Sequence, residues 1–196
     1  MGKKNRNEDL QIQRKIIDLT GKGLKFMRNI AIDFFSLENG EIGQWESLFY
    51  PPDIASVSVF PFTKKGKVVL VRMFRFPIRE EVFELPGGDV KNGERELQVA
   101  AERELLEETG YKAKTIQRLT QTWIAPRGAN ARVIIFLAQG CEKVKQPELD
   151  PVEKKMNLTP VEKSLEEIVK EIKEGKENYD MQVAFALTAL KGLDKF

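Results

Sequence analysis

The sequence feature that most constrains this chain is the stretch from residue 88 to residue 111. It reads GDVKNGERELQVAAERELLEETGY. At 100° per residue, the second half places Glu104, Glu107 and Glu108 within about a third of a helix circumference. The spacing therefore predicts a helix with three carboxylates on one face. We expect Val99 and Leu106 to lie on the opposite face.

The charges of this predicted helix are placed where they reduce its stability. Glu107 and Glu108 fall in the last turn before Gly110, a residue typical of helix C-caps, where the helix dipole favours cations. Glu104 repels Glu108 at the i, i+4 spacing, and each such effect costs a few tenths of a kcal/mol. A bound Mg²⁺ or Mn²⁺ would remove this cost, because both cations prefer oxygen ligands. The alternative is an exposed charged helix in a chain whose residues are 32% charged.

The composition excludes several kinds of site. The chain has no histidine, which excludes histidine-based nucleophilic machinery and histidine metal sites. Its only cysteine, Cys141, excludes internal disulfides and cysteine-based zinc sites, and we expect a small buried apolar residue there. A net charge of +2 gives no bulk field for nucleic acid or an anionic membrane. With neither a membrane-spanning run nor a signal-peptide core, we predict a cytoplasmic protein.

The first part of the chain predicts a small β appendage. Residues 10–19 fit a short helix or strand. Residues 30–35 and 44–50 flank a turn signal at 38–41 and read as a hairpin. Pro51-Pro52 is the predicted boundary, which divides the chain into an N-terminal β appendage at 1–52 and a main domain at 53–196.

The main domain alternates predicted strands with a few helices. Strands are predicted at 54–62, 68–74, 83–85, 116–124 and 132–138, a glycine loop at 86–88, a mobile loop at 139–156, and helices at 161–173 and 179–190. This pattern predicts the α/β class.

The stretch at 88–111 closely resembles the Nudix box, G-x(5)-E-x(7)-R-E-U-x-E-E-x-G-U, where U is bulky and apolar. The matching positions are Gly88, Glu94, Arg103, Glu104, Leu105, Glu107, Glu108, Gly110 and Tyr111. One position departs, since eight residues separate Glu94 from Arg103, and we place the extra residue in the loop at 95–97. The resemblance implies a Nudix-type α/β/α sandwich with a mixed β-sheet.

Outside the box, the sequence resembles the ADP-ribose and nucleoside-diphosphate-sugar branch of that family. Pro126 stands sixteen residues after Gly110, the spacing that similar enzymes use for sugar nucleotides, although a proline also ends strands. Trp45 and Glu46 resemble a pair that stacks adenine and bonds its edge, although Trp45 could instead anchor the hairpin. Two departures leave the base open: Phe49-Tyr50 replaces an expected arginine, and no glutamate lies between Pro126 and Arg132.

The resemblance also implies roles for individual residues. The Gly87 carbonyl with Glu104 and Glu108 would bind the metal. Glu107 would either bind the same metal or contact one of its ligands. Arg103 would orient the glutamates. Arg75 would pair with a phosphate oxygen, or else form a surface salt bridge.

The general base is expected in the loop after the last strand of the main domain. Similar hydrolases activate water with a glutamate from this loop, which points to Glu153. Glu148 and Asp150 could substitute for it.

The implied function is divalent-metal-dependent hydrolysis of the pyrophosphate of ADP-ribose or a nucleoside diphosphate sugar by a homodimer whose hairpin completes the base pocket. Two alternatives stay open. One is a Nudix hydrolase of another nucleotide, such as a dinucleoside polyphosphate, a coenzyme or an oxidised nucleotide. The other is a non-catalytic sensor of ADP-ribose-like ligands.

Overall fold

The computed structural model describes residues 12–18, 29–50, 56–90 and 97–192. The chain divides into two compact units: residues 1–54 with 123–132, and residues 55–122 with 133–196. The predicted boundary at 51–52 lies outside the described residues, so the division into 1–52 and 53–196 stays a prediction. In the described ranges, every helix is too short or too polar to cross a bilayer.

The first unit contains an antiparallel three-stranded sheet. Its strands, in the order β1-β2-β3, are β1 (Gln13–Asp18), β2 (Asn29–Ser36) and β3 (Ile42–Phe49). The predicted hairpin is confirmed, and Gly40 takes a φ of 82° in its turn, where a side chain would be strained. The ambiguous segment at 10–19 is a strand over its described part. Among the described residues of this sheet, only Ala31 is buried.

The second unit is organised around a mixed sheet. The remaining strands are β4 (Ser56–Thr63), β5 (Val68–Arg75), β6 (Glu80–Glu84), β7 (Gly87–Asp89), β8 (Tyr111–Lys112), β9 (Thr115–Ile124), β10 (Ala131–Lys143) and β11 (Thr159–Lys163). The order is β11-β5-β4-β10-β8, with β6 on β5, β7 on β4 and β9 on β10. Strands β4 and β10 run parallel, whereas β5 and β11 are antiparallel. The predicted mixed-sheet α/β class is confirmed.

The described residues form four helices. They are α1 (Leu97–Thr109), α2 (Pro151–Lys155), α3 (Leu165–Glu174) and α4 (Met181–Lys191). Capping boxes begin α2 at Asp150 and α3 at Ser164, which satisfies amide groups that the first helical turn leaves unpaired. Gly175 ends α3 with a φ of 61°, a left-handed cap that confirms the predicted helix break.

The core of the second unit lies where α1 packs on the sheet. Strands β4, β5 and β10 are buried over most of their length, as expected for strands covered on both faces. Helix α1 contributes Ala100, Ala101 and Leu105 to the same cluster. Cys141 is also buried there, as predicted, and burial raises the pKa of its thiol to about 12.

Three sequence predictions were wrong in part. The glycine loop at 86–88 contains the short strand β7, which pairs with β4. The predicted loop at 139–156 is shorter, because β10 continues to Lys143 and a capping box starts α2. The predicted helix at 161–173 begins with β11, which pairs antiparallel with β5 before Ser164 starts α3.

The predicted helix in the box is confirmed, and the structure shows which of its two faces is buried. Val99 is 50% exposed, whereas Glu104 and Glu108 are 7% and 4% exposed. The reason is packing: the small side chains of Ala100 and Ala101 let α1 approach the sheet on the acidic side. The glutamates therefore face inward.

Candidate active site

Two buried carboxylates, Glu104 and Glu108, form the centre of the site. They lie one turn apart on α1. A charged group is rarely buried unless it is paired or binds a cation, because removing it from water costs several kcal/mol. Their burial therefore requires partners close by.

The backbone of β7 lies directly against these carboxylates. The amide of Gly87 donates a hydrogen bond to Oε2 of Glu108 at 2.8 Å. A Cβ atom at Gly88 would lie 2.6 Å from Oε1 of Glu104, and one at Gly87 would lie 2.2 Å from the carbonyl oxygen of Val57. Only glycine fits at Gly87, where the short contacts are to backbone, whereas a side chain at Gly88 would displace the Glu104 carboxylate.

Arg103 connects the acidic residues of α1. Its Nη1 donates to Oε1 of Glu104 at 2.7 Å and to Oε2 of Glu107 at 2.9 Å. Its Nη2 donates to the carbonyl oxygen of Asp89 at 3.3 Å, which ties α1 to β7. This is the arrangement that a residue orienting two glutamates requires.

Glu108 shows that the site concentrates negative charge. Burial raises the pKa of its carboxyl well above the ordinary value, and the charges of Glu104, Glu153 and Glu84 raise it further. The hydrogen bond from Gly87 acts in the opposite direction but does not compensate. Four carboxylates therefore share one electrostatic environment.

Glu153 belongs to this environment although it lies far along the chain. Glu153 is the third residue of α2, and its carboxylate accepts the Asp150 amide at 2.6 Å as part of the capping box. The segment before it is fixed to α1: the Glu148 amide donates to the Glu107 carbonyl at 2.7 Å. Of the predicted substitutes, Asp150 already accepts two α2 amides, and Glu148 pairs with Lys145 at 2.9 Å.

The donor set fits a hard divalent cation, although the carboxylates do not yet converge on one point. In the described parts of the chain, no group of three acidic or cysteine side chains is close enough to hold a metal ion. Arg103 and the Gly87 amide hold the carboxylates instead. Oxygen-only ligands, burial and a raised pKa from like charges are features that a cation would relieve.

Arg75 lies in the second unit with a partner that the sequence did not reveal. Its Nε and Nη2 donate to the two oxygens of Glu84 at 2.6 and 2.5 Å. This hydrogen bonding raises the pKa of Arg75, and the charges of Glu84, Asp180 and Glu108 contribute. The only signal for Glu84 in the sequence was its place at the end of a strand, three residues before Gly87.

The start of α4 also contributes residues that sequence analysis missed. Gln182 accepts a hydrogen bond from the Ser58 hydroxyl at 2.7 Å, beside the Gly87 backbone. Burial raises the pKa of Asp180, the N-cap of α4, and the charge of Glu84 raises it further. No sequence pattern connected α4 with the box.

The predicted base-binding residues lie in the first unit. The Trp45 ring is 52% exposed, and its Nε1 donates to the carbonyl oxygen of Arg127 at 2.9 Å. Pro126 lies in the same turn, which begins at Ala125 with a φ of 46°. Glu46, next to Trp45 on β3, has an exposed side chain. The structure thus brings Trp45 and the Pro126 turn together.

Comparison with known proteins agrees with this geometry. The NUDIX domain matches residues 52–179. The chain is 32% identical over 164 residues to the ADP-ribose pyrophosphatase of Bacillus subtilis, covering 83% of this chain and 84% of that protein. It is 29% identical over 162 residues to the methanol dehydrogenase activator of Bacillus methanolicus, with the same two coverages.

A solved structure with low sequence identity to this chain has the same fold. The crystal structure of an ADP compounds hydrolase superposes with a TM-score of 0.74, covering 95% of this chain and 97% of that one at 19% identity. Gly88, Arg103, Glu104 and Glu108 of the box meet at one site, whereas Glu94 and the loop with the extra residue lie mostly outside the described residues. The family match spans most of the second unit. The chain therefore belongs to the Nudix family.

Proposed function

We propose that this protein hydrolyses the pyrophosphate bond of ADP-ribose or a nucleoside diphosphate sugar, giving a nucleoside monophosphate and a sugar phosphate. The observation that carries the proposal is the buried pair Glu104 and Glu108 against the Gly87-Gly88 backbone. Support for the substrate class comes from the pyrophosphatase of Bacillus subtilis.

The carboxylates have a defined task in this reaction. A divalent cation, Mg²⁺ or Mn²⁺, held by Glu104, Glu108 and the Gly87 carbonyl with Glu107 beside them, would neutralise the pyrophosphate and acidify a water. Arg103 keeps two of these side chains in place through Nη1. Preorganised ligands reduce the reorganisation needed during the reaction.

Glu153 is the proposed general base. Support comes from the Glu148 amide, which donates to the Glu107 carbonyl and holds the segment before α2 against α1, and from the effect of the Glu153 charge on Glu108. One of the Glu153 oxygens accepts the Asp150 amide, which leaves the other to take a proton from the attacking water. Arg75 would bind a phosphate oxygen through its planar guanidinium.

The decisive test is a substrate panel. Monophosphate release is measured with ADP-ribose, several nucleoside diphosphate sugars, dinucleoside polyphosphates, a coenzyme and an oxidised nucleotide, with and without Mg²⁺. We expect Mg²⁺-dependent turnover of the first two classes. Turnover confined to another class assigns a different Nudix substrate, and ADP-ribose binding without turnover identifies a sensor.

A melting experiment tests the metal site without activity. Binding to the native state alone adds about 2.7 kcal/mol at a hundredfold excess over Kd, so Mg²⁺ should raise the Tm. Glu104→Gln and Glu108→Gln should lose this rise, whereas Glu102→Gln, on the exposed side of α1, should retain it. A wild-type Tm that does not change when Mg²⁺ is added contradicts the assignment of the metal site.

We also propose that the protein is a homodimer and that Trp45 stacks on the base. A three-stranded sheet with one buried residue is marginal in water and needs a further surface. Light scattering at micromolar concentration tests the dimer, and a monomer contradicts it.

A second candidate function follows from the similarity to the methanol dehydrogenase activator. In that case the protein would raise the turnover of an alcohol dehydrogenase. Adding it to a methanol dehydrogenase, with Glu108→Gln as the matched inactive control, tests this role. Turnover unchanged by the wild type excludes it for that enzyme.

A further inference from the structure

The pair of Arg75 and Glu84 lies on the antiparallel strands β5 and β6. Directly across from Arg75 in the register is Glu80, and across from Glu84 is Val71. Arg75 does not pair with its cross-strand neighbour, since Glu80 accepts a hydrogen bond from Asn178 at 2.6 Å. The guanidinium instead reaches along the hairpin to Glu84.

The pair lies beside a buried part of the hairpin. The Met73 and Val82 pair, which lies between the two charged residues in the register, is buried. The Glu84 side chain is only 14% exposed, whereas that of Arg75 is 41% exposed. A carboxylate held this deeply requires its cation, and the cation keeps one side open to solvent.

The hydrogen bonds leave one edge of Arg75 unused. Nε and Nη2 form the bidentate pair with Glu84. Among the described residues, none accepts a hydrogen bond from Nη1. Two N–H groups of a fixed guanidinium are therefore available to a phosphate oxygen.

The pair also lies close to the box carboxylates. Glu84 lies three residues before Gly87, whose amide donates a hydrogen bond to Oε2 of Glu108 at 2.8 Å, and the charge of Glu84 acts on Glu108.

We propose that Glu84 is a positioning residue, which holds Arg75 through Nε and Nη2 so that Nη1 binds a non-bridging oxygen of the substrate pyrophosphate. This proposal rests on the proposed pyrophosphatase function. Glu84 itself does not touch the substrate.

The test is a double-mutant cycle on kcat/KM for ADP-ribose with Glu84→Gln, Arg75→Ala and the double variant. Arg75→Ala should lower kcat/KM about tenfold to a hundredfold, the usual scale for a hydrogen bond to a charged group. Glu84→Gln should lower it about fivefold or more in the wild type and less than about twofold when Arg75 is absent. Equal losses in both backgrounds overturn the proposal, because Glu84 would then act without Arg75.

A matched control exists on the same hairpin. Glu81 pairs with Arg72 at 3.7 Å, and both side chains are about half exposed. Glu81→Gln removes an ion pair from the same two strands and should leave kcat/KM within about twofold of wild type. If the wild type is active and Glu84→Gln keeps kcat/KM within about twofold of it, as Glu81→Gln should, the positioning role is wrong.

A binding measurement separates this proposal from the proposed function. Calorimetry with α,β-methylene ADP-ribose and with inorganic pyrophosphate, both in the presence of Mg²⁺, should show weaker binding to Glu84→Gln and normal binding to Glu81→Gln. A wild type that binds both probes but hydrolyses nothing overturns the proposed function alone. A wild type that binds neither overturns both.

Discussion

The two sheets of this protein differ in how much of their apolar surface is removed from water. In the mixed sheet, β4 has five consecutive buried residues and β10 has six. In the three-stranded sheet, all of β1 is exposed, and Ile42 on β3 is 68% exposed. The mixed sheet therefore has its own core, whereas the three-stranded sheet lacks one over its described residues.

The location of the candidate residues follows this difference. Glu104 and Glu108 lie on α1, which packs into the core of the second unit, and Glu84 and Glu153 lie on β6 and α2 of the same unit. Trp45 and Pro126 lie in the first unit, where side chains are accessible. Catalytic groups must be held to within about half an ångström of their working positions. A side chain that stacks on a base can do so from an exposed position.

The largest expected effect tests whether the chemistry belongs to the second unit. Glu153→Gln should lower kcat about 10² to 10⁴-fold with little change in KM, the usual scale for a general base. Glutamine can still accept the Asp150 amide, so α2 keeps its capping box. Steady-state kinetics measures the effect, with Glu148→Gln as control. A kcat within a few-fold of wild type removes Glu153 from the mechanism.

The next effect tests the stability difference between the sheets with one leucine from each unit. Leu137 on β10 is 1% exposed, so Leu137→Ala should cost about 2–5 kcal/mol of unfolding free energy. Leu37, beside the hairpin turn, is 43% exposed, and Leu37→Ala should cost less than about 0.5 kcal/mol. Urea unfolding measures both. A large cost at Leu37 would mean that its surface is covered in solution, as in a dimer.

Trp45 should show a smaller effect of a different kind. Trp45→Ala should raise KM for nucleotide substrates about tenfold, since stacking on a base contributes about 1–3 kcal/mol and acts on ground and transition states alike. The kcat should change little. Trp123, also 51% exposed in the first unit, provides the control variant Trp123→Ala. An unchanged KM in Trp45→Ala excludes Trp45 from base binding.

The smallest effect is a pH dependence of the metal-free protein. Because the pKa of Glu108 is raised in the folded state, the native protein binds a proton that the unfolded chain has released. Stability should therefore fall as pH rises from the ordinary glutamate value through the raised pKa. Glu108→Gln should remove this slope, whereas Glu102→Gln should not. Melting curves from about pH 4 to pH 9 without metal measure it, and an identical slope in Glu108→Gln contradicts the assignment.

How much could be predicted from the sequence depended on how local the signal was. The spacing within 97–110 and the turn at 38–41 identified α1 and the hairpin, because helix and turn preferences act over a few residues. The inward orientation of Glu104 was left open, because the spacing alone fits both a metal site and an exposed acidic face until the sheet beneath the helix is known. Strand β11 was missed because pairing with β5 decides its structure.

The partners of the site were beyond the reach of local patterns. Glu84 acquires its place only when β5 and β6 pair, and Gln182 reaches Ser58 across 124 positions of sequence. Such contacts depend on register and topology. By contrast, Glu153 was singled out by resemblance, and the structure gives it an electrostatic link to Glu108.

The carbonyl groups at the end of α1 have a consequence for transplanting this chemistry. The Glu107 carbonyl accepts the Glu148 amide, and the Gly110 carbonyl accepts the Val144 amide at 2.9 Å. A Cβ atom at Gly110 would lie 2.1 Å from the Lys145 carbonyl oxygen. A designer who moved residues 88–111 onto another scaffold would leave these carbonyls without donors. A graft that keeps these contacts would therefore have to carry residues 144–148 together with residues 88–111.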